Sequence, residues 1–193
     1  MRDHVQKLEL LPRVVSSLYN GAANVFWSLL AFAPVGIFCY RFMERPWLWT
    51  FVGISFVAYV VPASTLKYLE LSSTVQTYRR LGVHRVNDFV QHGTWINRLL
   101  RRSYPDYRRV RSRASLAALL QATYMQERFH WSALLFFLLS SVYGVVRGYP
   151  GWALLITISN VVYNLYPIWL QQYVRLRLNR SRSNQQSRGA ARS

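Results

Sequence analysis

MQERFHWSALLFFLLSSVYGVV, residues 125–146, is the stretch on which the architecture turns. Residues 129–146 contain no Asp, Glu, Lys or Arg. As a helix rising 1.5 Å per residue they reach about 27 Å, close to the ~30 Å of a bilayer's hydrocarbon core. Glu127 and His130 stand three residues apart at the entrance to this run. The chain has only seven acidic residues and four histidines, so their placement there is informative.

Working outward, residues 21–40, 47–66 and 151–170 are likewise apolar and free of Asp, Glu, Lys and Arg. The pattern predicts an all-α polytopic membrane protein: four transmembrane helices in two hairpins, joined by a cytoplasmic amphipathic connection. Residues 41–46 and 147–150 are the hairpin links, with Trp47, Trp49, Tyr149 and Trp152 placed as interfacial aromatics. Composition agrees. More than half of the residues are hydrophobic while the net charge is +17, a combination that oil in the spans and cations beside anionic lipid reconcile.

Of the 24 Lys and Arg, 21 fall within residues 1–20, 67–128 and 171–193. The positive-inside rule places both termini and the middle segment in the cytoplasm, in the cell (inner) membrane. Because the cations flank spans on one side, their expected partner is anionic lipid and not nucleic acid. Residues 1–178 read as a single membrane domain. The N-terminal segment is expected to lie on the surface before turning in, and residues 67–128 form the interfacial connection. Within that connection Val86, Phe89, Val90, Ile96 and Leu100 recur at helical spacing. From Ser115 the third span is expected to begin as a helix outside the bilayer. Residues 179–193 read as a disordered basic tail. Cys39 is the one cysteine, so no intramolecular disulfide forms. His and Cys are too few and scattered for structural zinc.

With four spans, the start of the third and the end of the fourth share the inner interface. Asn160, Asn164 and Gln171 fall on one stripe of the fourth helix. Amides inside a span are costly unless satisfied, so the stripe is expected to face Glu127 and His130, with Tyr163 and Tyr173 nearby. A Glu at i and a His at i+3 share a helix face. Glu127 is then expected to orient His130, and His130 to take the proton of a hydroxyl attacking an acyl carbonyl. Asn164 and Gln171 would polarise that carbonyl or position the acceptor, a contact worth about 3 kcal/mol. No metal is expected, since carboxylate di-metal bundles need a second Glu-x-x-His and two further Glu. Ser132, Ser140 and Ser141 lack a nucleophile elbow. Gly82 and Gly93 read as turn residues, and Pro62 and Pro167 as kinks within spans. Plainer roles stay open beside these: helix capping for Glu127 and His130, and interhelical glue for Asn160 and Asn164.

Two blocks also resemble a known family. TYMQERFHW (123–131) followed by NLYPIWLQQYVRLRL (164–178) is similar to the C-terminal half of the glycosyl-4,4'-diaponeurosporenoate acyltransferases of staphyloxanthin-type carotenoid synthesis. KYLE (67–70), YRRLGVHR (78–85) and the turn with Asn97 resemble its upstream stretch, which departs at HRVNDFVQHG (84–93). The resemblance implies an O-acyltransferase moving a fatty acyl group to a sugar hydroxyl of a lipid-linked acceptor. No cofactor is implied beyond acyl-CoA as co-substrate. Carried over by position, Glu127, His130, Asn164, Gln171, Tyr173 and Arg175 become site candidates, with Glu70 and Asn97 behind them. Tyr173 and Arg175 would hold the donor's polar part. The competing readings are a non-enzymatic scaffold for anionic lipid or an acidic partner, and a small membrane methyltransferase or reductase. Oligomeric state is not legible.

Overall fold

Pro46 and Pro150 each fall in the first turn of a helix, where a missing N–H costs nothing, and they set where the two hairpins turn back. A computed structural model describes residues 2–89 and 113–190, with no β-strand among them. Helix α1 spans Arg2–Phe42, α2 Arg45–Tyr59 and α3 Ala63–Leu66, followed by a 3₁₀ turn at Lys67–Leu69. Two short helices follow, α4 (Val75–Arg80) and α5 (Val83–Phe89), with Gly82 at φ 74° in the turn between them. Then come α6 (Arg113–Val146) and α7 (Pro150–Asn160). A π-helical turn at Val161–Leu165 leads without a break into α8 (Tyr166–Ala190).

Among the described residues, three helices are long and apolar enough to cross a membrane: Ser17–Phe42, Leu116–Val146 and Pro150–Arg180. The expected second span, 47–66, is not one helix. Proline has no N–H for the helical ladder, and it pushes the preceding residue toward extended backbone. Pro62 accordingly ends α2 at Tyr59 and sits extended itself, a break where a kink was expected. The 15 residues of α2 reach only about 22 Å. Two further expectations change. The N-terminal segment continues directly into α1, and α8 runs past residue 178 to Ala190, where a disordered tail was expected. The third span does begin early, at Arg113. Val90, Ile96, Leu100 and Asn97 lie outside the described residues.

The α6–α7 link closes as a Schellman motif. Tyr149 N–H donates to Gly144 O at 2.7 Å and Gly148 N–H to Val145 O at 3.1 Å, with Gly148 at φ 81°. Around this end Val35, Phe38, Cys39, Met43, Phe51, Phe137, Tyr143 and Ile156 form one core. Glu44 and Arg147 make an ion pair there, and both bind the Tyr143 hydroxyl. Further along, Ser132 Oγ donates to Ser55 O at 2.7 Å, so α2 runs antiparallel to α6 and its end approaches the level of Glu127. At that opposite end a second core of Val75, Tyr78, Val83, Leu170 and Tyr173 packs α4 and α5 on α8. The polar groups lie between the two cores.

Candidate functional site

Asn160 and Asn164, four residues apart, point the same way from α7 and the π turn, and both are buried. Asn160 Nδ2 donates to Leu134 O at 3.0 Å, and Asn164 Nδ2 donates to Asn160 Oδ1 at 2.8 Å. His130 Nδ1 lies 3.4 Å from Asn164 Oδ1. The predicted facing of these three residues is therefore present, as a row of amides ending at an imidazole.

Glu127, fully buried, is engaged elsewhere. Its Oε1 accepts from Gln172 Nε2 at 2.8 Å, and its Oε2 accepts from Arg175 Nη1 at 2.6 Å. With both oxygens taken from α8, the expected orientation of His130 by Glu127 does not form. A guanidinium offers a buried carboxylate charge neutralisation that an imidazole does not match. Arg175 also donates from Nε and Nη2 to Glu70 Oε1, at 3.2 and 2.9 Å, and lies over the Tyr124 ring. Arg175 thus binds two carboxylates and is shut in by them. It is not available to hold a donor, the role first expected of it.

Gln172 completes this network. Its Nε2 donates to Glu127 and to Leu69 O at 3.3 Å; its Oε1 accepts from Leu71 N at 3.2 Å and Tyr78 OH at 3.0 Å. Every donor and acceptor position of the amide is used. Burial pushes the Tyr78 hydroxyl above the ordinary phenol range, so it stays a donor, and it also reaches Ser72 O at 3.1 Å. The effect is to bind the 69–72 turn and α4 onto α6 and α8.

Sequence periodicity selected Gln171 in place of Gln172. Gln171 instead donates to Gln126 Oε1 at 2.7 Å. The cause is the π turn at Val161–Leu165, whose i→i+5 spacing adds about one residue to the helix and moves every later position back by one. Pro167, just beyond, lacks the N–H that would bond the Tyr163 carbonyl in a regular helix, which favours the wider turn. Proline at 167 in an apolar run was the available signal. Tyr173 is buried against Tyr78 in the second core and takes no part in the network.

Four buried polar atoms near this level have no hydrogen-bond partner among the described residues: Ser55 Oγ, Arg128 Nε, Trp131 Nε1 and Tyr163 OH. Unspent buried donors are costly, each by about 1–3 kcal/mol; Arg128 and Trp131 flank His130 and Phe129 in sequence, Tyr163 adjoins Asn164, and the Ser55 carbonyl is bound by Ser132 on α6. Lys67, Arg79 and Arg80 are exposed at the same end. The described residues contain no cluster of His, Cys, Asp or Glu suited to a metal.

Neither the curated proteins nor the solved structures contain a match to the chain. The family model for glycosyl-4,4'-diaponeurosporenoate acyltransferase matches residues 62–184, well over half of the 193. The matched stretch carries Glu70, Tyr78, Glu127, His130, Asn160, Asn164, Gln172 and Arg175 together. This chain belongs to the glycosyl-4,4'-diaponeurosporenoate acyltransferase family.

Proposed function

We propose that the protein is an integral membrane O-acyltransferase. It moves a fatty acyl group from an activated donor, acyl-CoA by chemical class, to a hydroxyl of a glycosylated lipid such as a glycosyl carotenoid. The observation that carries this reading is the family match over the very helices that set His130 against Asn164. His130 takes the proton of the acceptor hydroxyl as its oxygen bonds to the acyl carbon. Collapse of the tetrahedral intermediate breaks the acyl–sulfur bond, and the departing thiolate takes that proton back. The unspent donors of Tyr163 and Trp131 suit the oxyanion or the acceptor's sugar. Exposed Arg79 and Arg80 and the Arg128 side chain suit donor phosphates. Glu127, Arg175, Glu70 and Gln172 are the frame that holds these elements together. No resident cofactor is required.

In this reading the reaction takes place at the cytoplasmic leaflet of the cell membrane. The helix α2, extended by α3, serves as a short fourth crossing, and both termini are cytoplasmic. The test is to reconstitute the purified chain with radiolabelled acyl-CoA and glycosylated lipid acceptors, and to identify esters by mass spectrometry. Ester formation on a sugar hydroxyl supports the reading; none with any acceptor, despite a folded protein, overturns it. A scaffold reading is favoured by one observation, the mutual satisfaction of Glu127, Arg175, Gln172 and the asparagines. The unspent donors beside them count against it, since sealed packing would not strand them.

A further inference from the structure

The row from Leu134 to His130 has a direction, and its far end sets it. Leu134 contributes a backbone carbonyl, which only accepts, so Asn160 must turn its NH₂ toward it. Asn160 Oδ1 then faces Asn164 and only accepts, so Asn164 must turn its own NH₂ that way. This leaves Asn164 Oδ1 facing the imidazole, and an amide oxygen facing Nδ1 requires a proton on Nδ1. In the neutral ring one nitrogen carries the proton and the other is bare. We infer that Asn160 and Asn164 fix the tautomer of His130 with the proton on Nδ1, leaving Nε2 as the proton-accepting atom.

The inference rests on the proposed catalytic role of His130 for its purpose, but not for its structural content. It assigns the asparagines to positioning, where the sequence suggested substrate binding. Asn160 does not touch the imidazole and acts through Asn164, whose orientation it sets. The anchoring carbonyl belongs to α6, one turn beyond His130 itself, so the row closes a loop between α6 and the end of α7 with its π turn. The backbone of Tyr163 also lies against the ring. A carbonyl there can share the Nδ1 proton, and it is also the acceptor that would compete for a proton placed on Nε2.

The test is nitrogen NMR of the full chain labelled with ¹⁵N-histidine in detergent micelles, at a pH where the ring is neutral. Only four histidines are present, and a His130→Gln variant assigns the signal. The expected result is His130 protonated on Nδ1 in the native protein. In Asn160→Leu the ratio of the two tautomers is expected to move at least about fivefold toward Nε2–H, the scale of one net hydrogen bond. Asn164→Leu, which removes the acceptor opposite Nδ1, should move the ratio the same way. A native ring protonated on Nε2 overturns the inference, even if the variants fail to fold. So does an unchanged ratio in a folded Asn160→Leu. Acyl transfer that survives His130→Ala would sink the catalytic reading alone and leave this spectrum as it is.

Discussion

Gln171 and Gln172 are chemically identical neighbours with opposite standing. Gln172 binds Glu127, Tyr78 and two backbone groups of the 69–71 stretch, while Gln171 meets Gln126 at a half-buried position. Replacing Gln172 by Leu strands one oxygen of a buried carboxylate and the Leu71 N–H. The expected loss of stability is roughly 2–4 kcal/mol, against under about 1 kcal/mol for Gln171→Leu. Gln172→Glu should be worse than either, because it sets a carboxylate against Glu127 and the Leu69 carbonyl. Chemical denaturation in detergent, followed by tryptophan fluorescence, measures all three. Equal effects at 171 and 172 would contradict the network. Residue types were legible here: scarce acids and intramembrane amides marked Glu127, His130, Asn160 and Asn164 directly. Partners were not. The i, i+3 rule offered Glu127 a local imidazole, whereas the fold brought it a guanidinium from 48 positions away, a pairing no local rule contains.

The last of the three long apolar helices, Pro150–Arg180, is where element-scale reasoning both succeeded and slipped. Its existence and apolar length were plain from hydropathy, and its proline was visible, but whether Pro167 bends, breaks or widens the helix depends on what packs beside it. The π turn has a testable consequence. Deleting Val162, an exposed residue inside it, removes the extra residue and allows an α-helical turn. Gln172 and Arg175 then keep their places opposite Glu127. The variant should retain most of its thermal stability but lose the Asn160–Asn164–His130 row, and with it acyl transfer. Deleting Leu138, equally exposed but in regular α6, rotates one half of that helix by about 100° against the other and should abolish folding. Thermal melts of the two deletions side by side decide the matter. Pro62 teaches the same lesson in α2: hydropathy ran through it, and the backbone did not.

For the molecule as a whole, the topology we propose puts the N- and C-termini on one face, with α2 as a short crossing. In a Cys39→Ala background, single cysteines at Asp3, Tyr149 and Arg180 report this through a membrane-impermeant maleimide on intact cells. Labelling of Tyr149→Cys alone is expected; labelling of Asp3→Cys but not Arg180→Cys would mean an odd number of crossings and put the termini on opposite sides. The all-helical class and the meeting of His130 with Asn160 and Asn164 were readable from composition and period. The frame of Glu70, Gln172 and Arg175 was not, because it is assembled from segments a hundred residues apart. What stands or falls with the whole account is proton transfer by one imidazole. The most direct measurement is the rate of ester formation from labelled acyl-CoA by the reconstituted protein and its His130→Ala variant, alongside their melting temperatures. The account predicts a fall of about 10²–10⁴-fold with the melting temperature nearly unchanged. Equal rates in the two proteins would contradict it.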